Sequence, residues 1–144
     1  MVRFGQGYRT EAPLEEFGRK AATLAEMSSL GIPIPPGFVL NVSVCEDYFR
    51  NSRKLSPDVP QLLMNGIAFL EKETGLAFGS EHKPLLVSVR SGSAVSMPGA
   101  METVLNVGLN NNTVKGLIFQ TGNPRFAWDS YRRLLESFGK TVLS

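Results

Sequence analysis

The sequence predicts a mixed α+β fold, a short sheet packed by several helices, and three observations lead there. Apolar residues recur at helical spacing in long runs, and short β-rich runs bounded by proline and glycine fall between them. In addition, 42% apolar against 19% charged residues, over 144 positions, describe a chain that can bury the core of one ordinary domain.

The first helix is expected from about Pro13 to Ser29, with Leu14, Phe17, Ala21 and Leu24 on one face and Gly31 and Pro33 as its stop. The proline-rich stretch Ile32–Gly37 cannot hold regular structure and should run extended into a strand at Phe38–Leu40. Ser43 is placed to cap a brief helix carrying Tyr48 and Phe49. Ser56–Pro57 opens the next helix, whose apolar face is Val59, Leu62, Leu63, Ile67 and Leu70 and whose end is Gly75. A buried strand is expected at Leu85–Val89 and another at Thr103–Val107, with a helix from about Asn112 to Gln120. The last helix has Asn123 as cap and Pro124 in its first turn, an apolar face of Ala127, Tyr131, Leu134, Leu135 and Phe138, and Gly139 at its end. The tail from Lys140 to Ser144 is too short for another element and lacks a polar wind-down, so a cut is expected there.

Composition removes several function classes. With only Cys45 and His82 of their kinds, neither a disulfide scaffold nor a Cys/His zinc module can be built. The unpaired cysteine and the absence of a signal-like apolar core after Met1 lead to the expectation of a cytoplasmic protein. No run approaches the roughly 20 apolar residues that span a bilayer. Fifteen Lys+Arg against 13 Asp+Glu give a net charge of +2, spread along the chain, so neither nucleic acid nor a membrane is expected as a partner.

The chemistry concentrates where the Leu85–Val89 strand runs into Arg90 and then Ser-Gly-Ser-Ala-Val-Ser-Met-Pro-Gly-Ala, residues 91–100. Small residues expose backbone N–H groups and hydroxyls, which can surround phosphate oxygens at little steric cost. An ordinary turn after a strand has the same composition, and Pro98–Gly99 is a good turn dipeptide. No G-x-x-x-x-G-K-[ST] motif accompanies it.

The string from Leu85 to Asn110 resembles the amino-terminal nucleotide-binding region of the pyruvate, phosphate dikinase family. Two further stretches agree in order and spacing, Leu24 to Phe38 and Thr121 to Arg133. The resemblance runs from about Phe17 to the end. It implies that residues 1–144 are one domain, the amino-terminal subdomain of an ATP-grasp fold, which in the family passes the β-phosphoryl of ATP through a pyrophosphoryl enzyme to a histidine on a separate swivelling domain. A third, barrel-shaped domain then exchanges that group with pyruvate, so that ATP, pyruvate and phosphate become AMP, phosphoenolpyruvate and pyrophosphate.

Residue by residue, the resemblance implies that Arg90 contacts the nucleotide phosphates, a role suited to a planar guanidinium. A strand-end arginine in a surface salt bridge is the plainer alternative. Gly92, Ser93, Ser96, Gly99 and Thr103 are the implied contacts of the loop, with Met97 and Met101 either contributing or anchoring it. Lys20 matches the lysine of the family's Gly-Gly-Lys-Gly stretch, which here reads Gly18-Arg19-Lys20-Ala21; a surface ion pair with Glu16, four residues earlier on a helix, accounts for Lys20 equally. Arg132 and Arg133 lie roughly 100° apart on their helix, and the family pattern turns Arg133 to the phosphates and leaves Arg132 solvated or paired with Asp129. Arg125 reads as structural.

The implied cofactor is Mg-ATP, with its metal ligands expected outside this chain. No catalytic residue and no acceptor histidine is expected within it, and His82 reads as a solvated loop residue. ATP and the remainder of a dikinase, or a homologous subunit, are the expected partners. The alternative is a stand-alone, non-catalytic binding or interaction module derived from the dikinase.

Overall fold

In the computed structural model, which describes residues 1–91 and 103–143, helices and short strands alternate as an α+β arrangement. Most of the loop expected over residues 91–100, including Gly92, Ser93, Ser96 and Gly99, lies outside the described residues. The described residues fall into two units, one over Met1–Glu73 and one over residues 74–91 and 103–143. Two separate two-stranded sheets, one in each unit, stand where one short sheet was expected.

The first unit begins with a strand that periodicity did not reveal, β1 (Val2–Phe4). Three residues are too few to show alternation, and its partner supplies what its own sequence lacks. The helix expected over Pro13–Ser29 is two helices, α1 (Leu14–Phe17) and α2 (Arg19–Ser29). Gly18 divides them at φ 79°, a backbone state that side-chain-bearing residues rarely adopt. Ala12, Phe17, Ala21 and Ala25 then form a small buried cluster, against which Val2 and Val39 pack. The strand β2 (Gly37–Val39) pairs antiparallel with β1, Val2 opposite Val39 and Phe4 opposite Gly37. Ser28 is a buried polar residue with its partners present. The Gly5 N–H donates to its Oγ at 3.3 Å, and its hydroxyl is shared between the carbonyls of Gly5 and Tyr8, both at 2.7 Å.

The brief helix α3 (Ser43–Arg50) includes Ser43 as its first residue and not its cap; Val42 stands at the N-cap without a side-chain bond, and Asn41 Oδ1 accepts from the Ser43 N–H at 2.9 Å. Helix α4 (Val59–Thr74) buries Val59, Gly66, Phe69 and Leu70. Leu63, assigned to the apolar face by spacing, is exposed, and the helix makes its close approach at Gly66, where the Phe38 ring occupies the space of a side chain.

In the second unit β3 (Val87–Arg90) pairs antiparallel with β4 (Thr103–Val107), with Val87 opposite Val107 and Arg90 opposite Thr103, and an irregularity between Val87 and Val89. Helices α5 (Thr113–Thr121) and α6 (Pro124–Val142) follow. The core is Val104, Leu109, Val114, Leu117, Ala127 and Leu134, with Leu86, Val107, Ile118 and Tyr131 packed against it. Each buried Val or Leu contributes roughly 1.5–3 kcal/mol by leaving water. Asn123 caps α6 as expected, its Oδ1 accepting from the Phe126 N–H at 3.0 Å. Gly139 does not end α6. The Lys140–Glu136 ion pair at 3.0 Å spans it, and the helix continues to Val142.

Two glycines of this unit therefore respond oppositely to a methyl group. At Gly116 a Cβ would sit 2.5 Å from the Glu81 carbonyl oxygen and 2.8 Å from Pro84, whereas at Gly139 nothing lies within 4 Å. Gly116→Ala is expected to destabilise by about 1–3 kcal/mol through overpacking, and Gly139→Ala to stabilise by about 0.5–1 kcal/mol through helix propensity. Thermal melts followed by circular dichroism would show Tm moving in opposite directions; a fall for both would contradict the placement of Gly139.

Candidate functional site

Antiparallel pairing of β3 with β4 brings two of the expected site residues together. Arg90 is the last residue of β3 and Thr103 the first of β4, and they are direct cross-strand partners. Opposed Cα atoms in such a ladder are about 5 Å apart, so the end of β3 and the start of β4 are neighbours. Alternation along β4 sends Val104 into the core and Thr103 to the other face. The Arg90 side chain is exposed and forms no ion pair among the described residues, so the salt bridge that could have explained it is not made there.

Lys20 occupies the first turn of α2, directly after the Gly18 break. The same break removes the alternative for Lys20, because Glu16 and Lys20 no longer sit on one continuous helix. Glu16 instead accepts from Asn41 Nδ2 at 3.1 Å, and Lys20 is exposed without an ion pair among the described residues. Of the two replaced glycines, position 21 has turned inward: Ala21 is 5% exposed in the cluster with Phe17 and Ala25. Its methyl group fills core space. Arg19 stays on the surface. Two cations thus begin a helix whose first turn holds no acidic residue, where the exposed N–H groups and the macrodipole favour negative charge.

On α6, Asp129 sits between two arginines. Its Oδ1 accepts from Nε and Nη2 of Arg132, each at 3.0 Å, and its Oδ2 accepts from Nε of Arg133 at 2.7 Å. Arg132 also reaches Glu136 through Nη1 at 2.9 Å. All three guanidinium nitrogens of Arg132 are therefore engaged, while Arg133 is held by Nε alone and keeps both terminal nitrogens available among the described residues. These hydrogen bonds, from Arg132 first and Arg133 second, hold the Asp129 carboxyl below the usual aspartate range. Lys140 and then Arg132 do the same for Glu136.

Asn123, Arg125, Phe126, Trp128, Asp129, Arg132 and Arg133 line an open depression of about 670 Å³ along this side of α6. Arg125 and Trp128 were not among the expected site residues, although the spacing 125, 128, 129, 132, 133 places these residues on one side of a helix.

Among the described residues no three His, Cys, Asp or Glu side chains cluster in a way that could hold a metal ion. Asp129, the carboxylate closest to the arginines, accepts three hydrogen bonds from them. Arg90, Lys20 and the terminal nitrogens of Arg133 make no ion pair among the described residues and are the groups that could engage an anion. His82 is exposed, its N–H donating to Ser80 Oγ at 3.2 Å in a loop turn. No helix among the described residues is long and apolar enough to cross a membrane.

No protein-family model matches the chain. Comparison with individual proteins is informative. By sequence the chain is a relative of pyruvate, phosphate dikinases. It is 48% identical over 126 residues to the chloroplastic pyruvate, phosphate dikinase of Flaveria pringlei, covering 88% of this chain and 13% of that protein. Against the pyruvate, phosphate dikinase of Rhizobium meliloti it is 43% identical over 139 residues, 96% of this chain and 16% of that protein. Against that of Clostridium symbiosum it is 44% identical over 126 residues, 88% of this chain and 14% of that protein. The chain thus spans about one-seventh of the length of the relatives it matches.

The Asp129 arrangement makes a pH prediction. A carboxyl whose folded pKa is depressed adds stability above its unfolded value, about 3.9 for Asp, and loses it as pH falls through the folded value. Carbon-detected NMR titration is expected to give Asp129 a midpoint below that of an unperturbed aspartate, with Arg132→Ala moving it upward more than Arg133→Ala. A midpoint at the ordinary value in the unaltered chain would contradict the double arginine clamp.

Proposed function

We propose that this chain supplies the phosphate-side part of an ATP-grasp nucleotide-binding domain, the amino-terminal portion of a pyruvate, phosphate dikinase-like phosphotransferase. The observation that carries the reading is the Arg90–Thr103 pairing. It sets a guanidinium with no ion pair among the described residues and a hydroxyl-bearing residue at the two ends of the Ser/Gly segment, in a chain related to dikinases along nearly its whole length.

In this reading Arg90 binds phosphate oxygens through paired N–H groups, and Thr103 with Gly92, Ser93, Ser96 and Gly99 surrounds them from the loop. Arg133 contributes its two terminal nitrogens while Asp129 fixes its Nε. These groups position and neutralise the polyphosphate. Magnesium, bound with the nucleotide, would supply charge neutralisation for the phosphates. Its ligands, the adenine-holding segment and the acceptor histidine are proposed to come from the remainder of a dikinase or from a homologous subunit, and the site of action is proposed to be the cytoplasm. The complete activity would convert ATP, pyruvate and phosphate to AMP, phosphoenolpyruvate and pyrophosphate.

A second reading, a non-catalytic module derived from the dikinase, is favoured by one observation. Ala21 stands in the core where the family's stretch has a glycine beside the phosphate. The two readings share the expectation that the 144-residue chain alone does not turn over.

Calorimetric titration with Mg-ATP tests the site. Weak binding is expected, and Arg90→Ala should weaken it by about tenfold or more, the scale of a charged hydrogen bond. Binding indifferent to Arg90 would remove the proposed role. A tight complex would contradict the account of an incomplete site, as would AMP and pyrophosphate formed from ATP by the chain alone.

A further inference from the structure

The β3–β4 ladder is one residue out of step. Between the pairs Val87–Val107 and Val89–Val104 lies a single residue of β3, Ser88, but two of β4, Leu105 and Asn106. β4 therefore carries a β-bulge. The side chains show the same step. Residues three apart on a regular strand point to opposite faces, yet Val104 is buried in the core cluster and Val107 packs against that cluster too, while Leu105 between them is exposed.

Asn106 is where the extra residue is absorbed. Its φ is 58°, a state that asparagine reaches more readily than other side-chain-bearing residues and that β-branched residues resist. Its Nδ2 donates to the Ser130 carbonyl on α6 at 3.3 Å, and the Leu109 N–H closes a turn onto its carbonyl at 3.2 Å. The end of the hairpin beyond Val107 cannot take up the slack instead. A Cβ at Gly108 would stand 2.7 Å from the Leu85 carbonyl oxygen, and the Thr113 hydroxyl donates to the Gly108 carbonyl at 2.8 Å. With that end pinned, a strand unable to bulge at residue 106 would run on in step from Val107, setting residue 106 against Ser88, Leu105 against Val89 and Val104 against Arg90. Thr103 would then pass beyond Arg90 and turn to the core face.

We propose that Asn106 is a positioning residue of the phosphate site: by holding the extra residue of β4 in a positive-φ bulge, it keeps Thr103, and not Val104, opposite Arg90. Resting on the phosphate reading of that pair, this adds the residue on which the pairing depends. Asn106 acts through the ladder and not by touching the anion.

Two measurements on the full chain test it: cross-strand contacts by NMR without ligand, and affinity for inorganic tripolyphosphate by calorimetry. Asn106→Gly permits the positive φ but loses the bond to Ser130. It is expected to lower Tm yet keep the Arg90–Thr103 contact and an affinity within about twofold of the unaltered chain. Asn106→Val is expected to replace that contact with one between Arg90 and Val104 and to bind about tenfold more weakly, the scale of one charged hydrogen bond. Adding Arg90→Ala to Asn106→Val should cost little more, because both act through one pair. If circular dichroism shows Asn106→Val unfolded, Asn106→Ala, less strained at positive φ, carries the same expectation in weaker form. An Arg90–Thr103 contact that survives in the folded variant, or an equal loss of affinity in Asn106→Gly, would overturn the proposal and leave the phosphate reading standing. No binding of tripolyphosphate by the unaltered chain would overturn both.

Discussion

Pairing of β3 with β4 is the interaction on which the second unit and its site both depend. The ladder seats Val104 in the core with Leu117, Ala127 and Leu134, and alternation then leaves Thr103 on the other face, opposite Arg90. A register shift by one residue would reverse both outcomes together, exposing Val104 and burying Thr103. The pairing is also braced away from the loop. Asn106, at φ 58°, donates from Nδ2 to the Ser130 carbonyl at 3.3 Å, and Thr113 links Asn110 and Gly108 through its buried hydroxyl. Backbone turns at one end of the hairpin therefore support the position of Arg90 and Thr103 at the other.

The cations of the chain differ in how far they are already committed. Arg132 has every nitrogen bonded to carboxylates, which suits a residue that stiffens α6. Arg133 is half-committed, Arg90 and Lys20 are uncommitted among the described residues, and Lys20 stands where a helix start favours an anion. Exposed ion pairs such as those on α6 add little stability, so their use lies in orientation. A guanidinium held at Nε presents its other two nitrogens in a fixed direction, which lowers the entropy lost when a planar anion is bound.

Much of this was legible in the chain itself. Asn123–Pro124 announced the start of α6, and the Thr103–Val107 strand has the bounds that its composition indicates. The β-rich run announced β3 only in part: the strand expected to be buried over Leu85–Val89 begins at Val87, ends at Arg90 and leaves Val89 exposed. What was hidden had physical causes. β1 is too short to display a period and forms because β2 pairs with it. Gly18 looks like a tolerated interior glycine until its φ is known, and only then do Glu16 and Lys20 separate. Gly139 reads as a stop but is bridged by Glu136 and Lys140. Leu135 and Phe138 satisfy helical spacing, yet both are exposed, since a period records a stripe and not what covers it. For the site, the loop motif carried the family relationship, whereas the division of labour between Arg132 and Arg133 is visible only in which nitrogens Asp129 and Glu136 occupy.

We propose that phosphate is bound where β3 and β4 meet the Ser/Gly segment. The most direct measurement is a two-dimensional amide NMR titration of the ¹⁵N-labelled chain with inorganic tripolyphosphate, which carries the phosphates without the base. Saturable shifts concentrated at Arg90, Ser91 and Thr103 and along residues 92–102 are expected, with their loss in Arg90→Ala. Shifts confined to α6, or spread evenly over the basic residues of the chain, would contradict it.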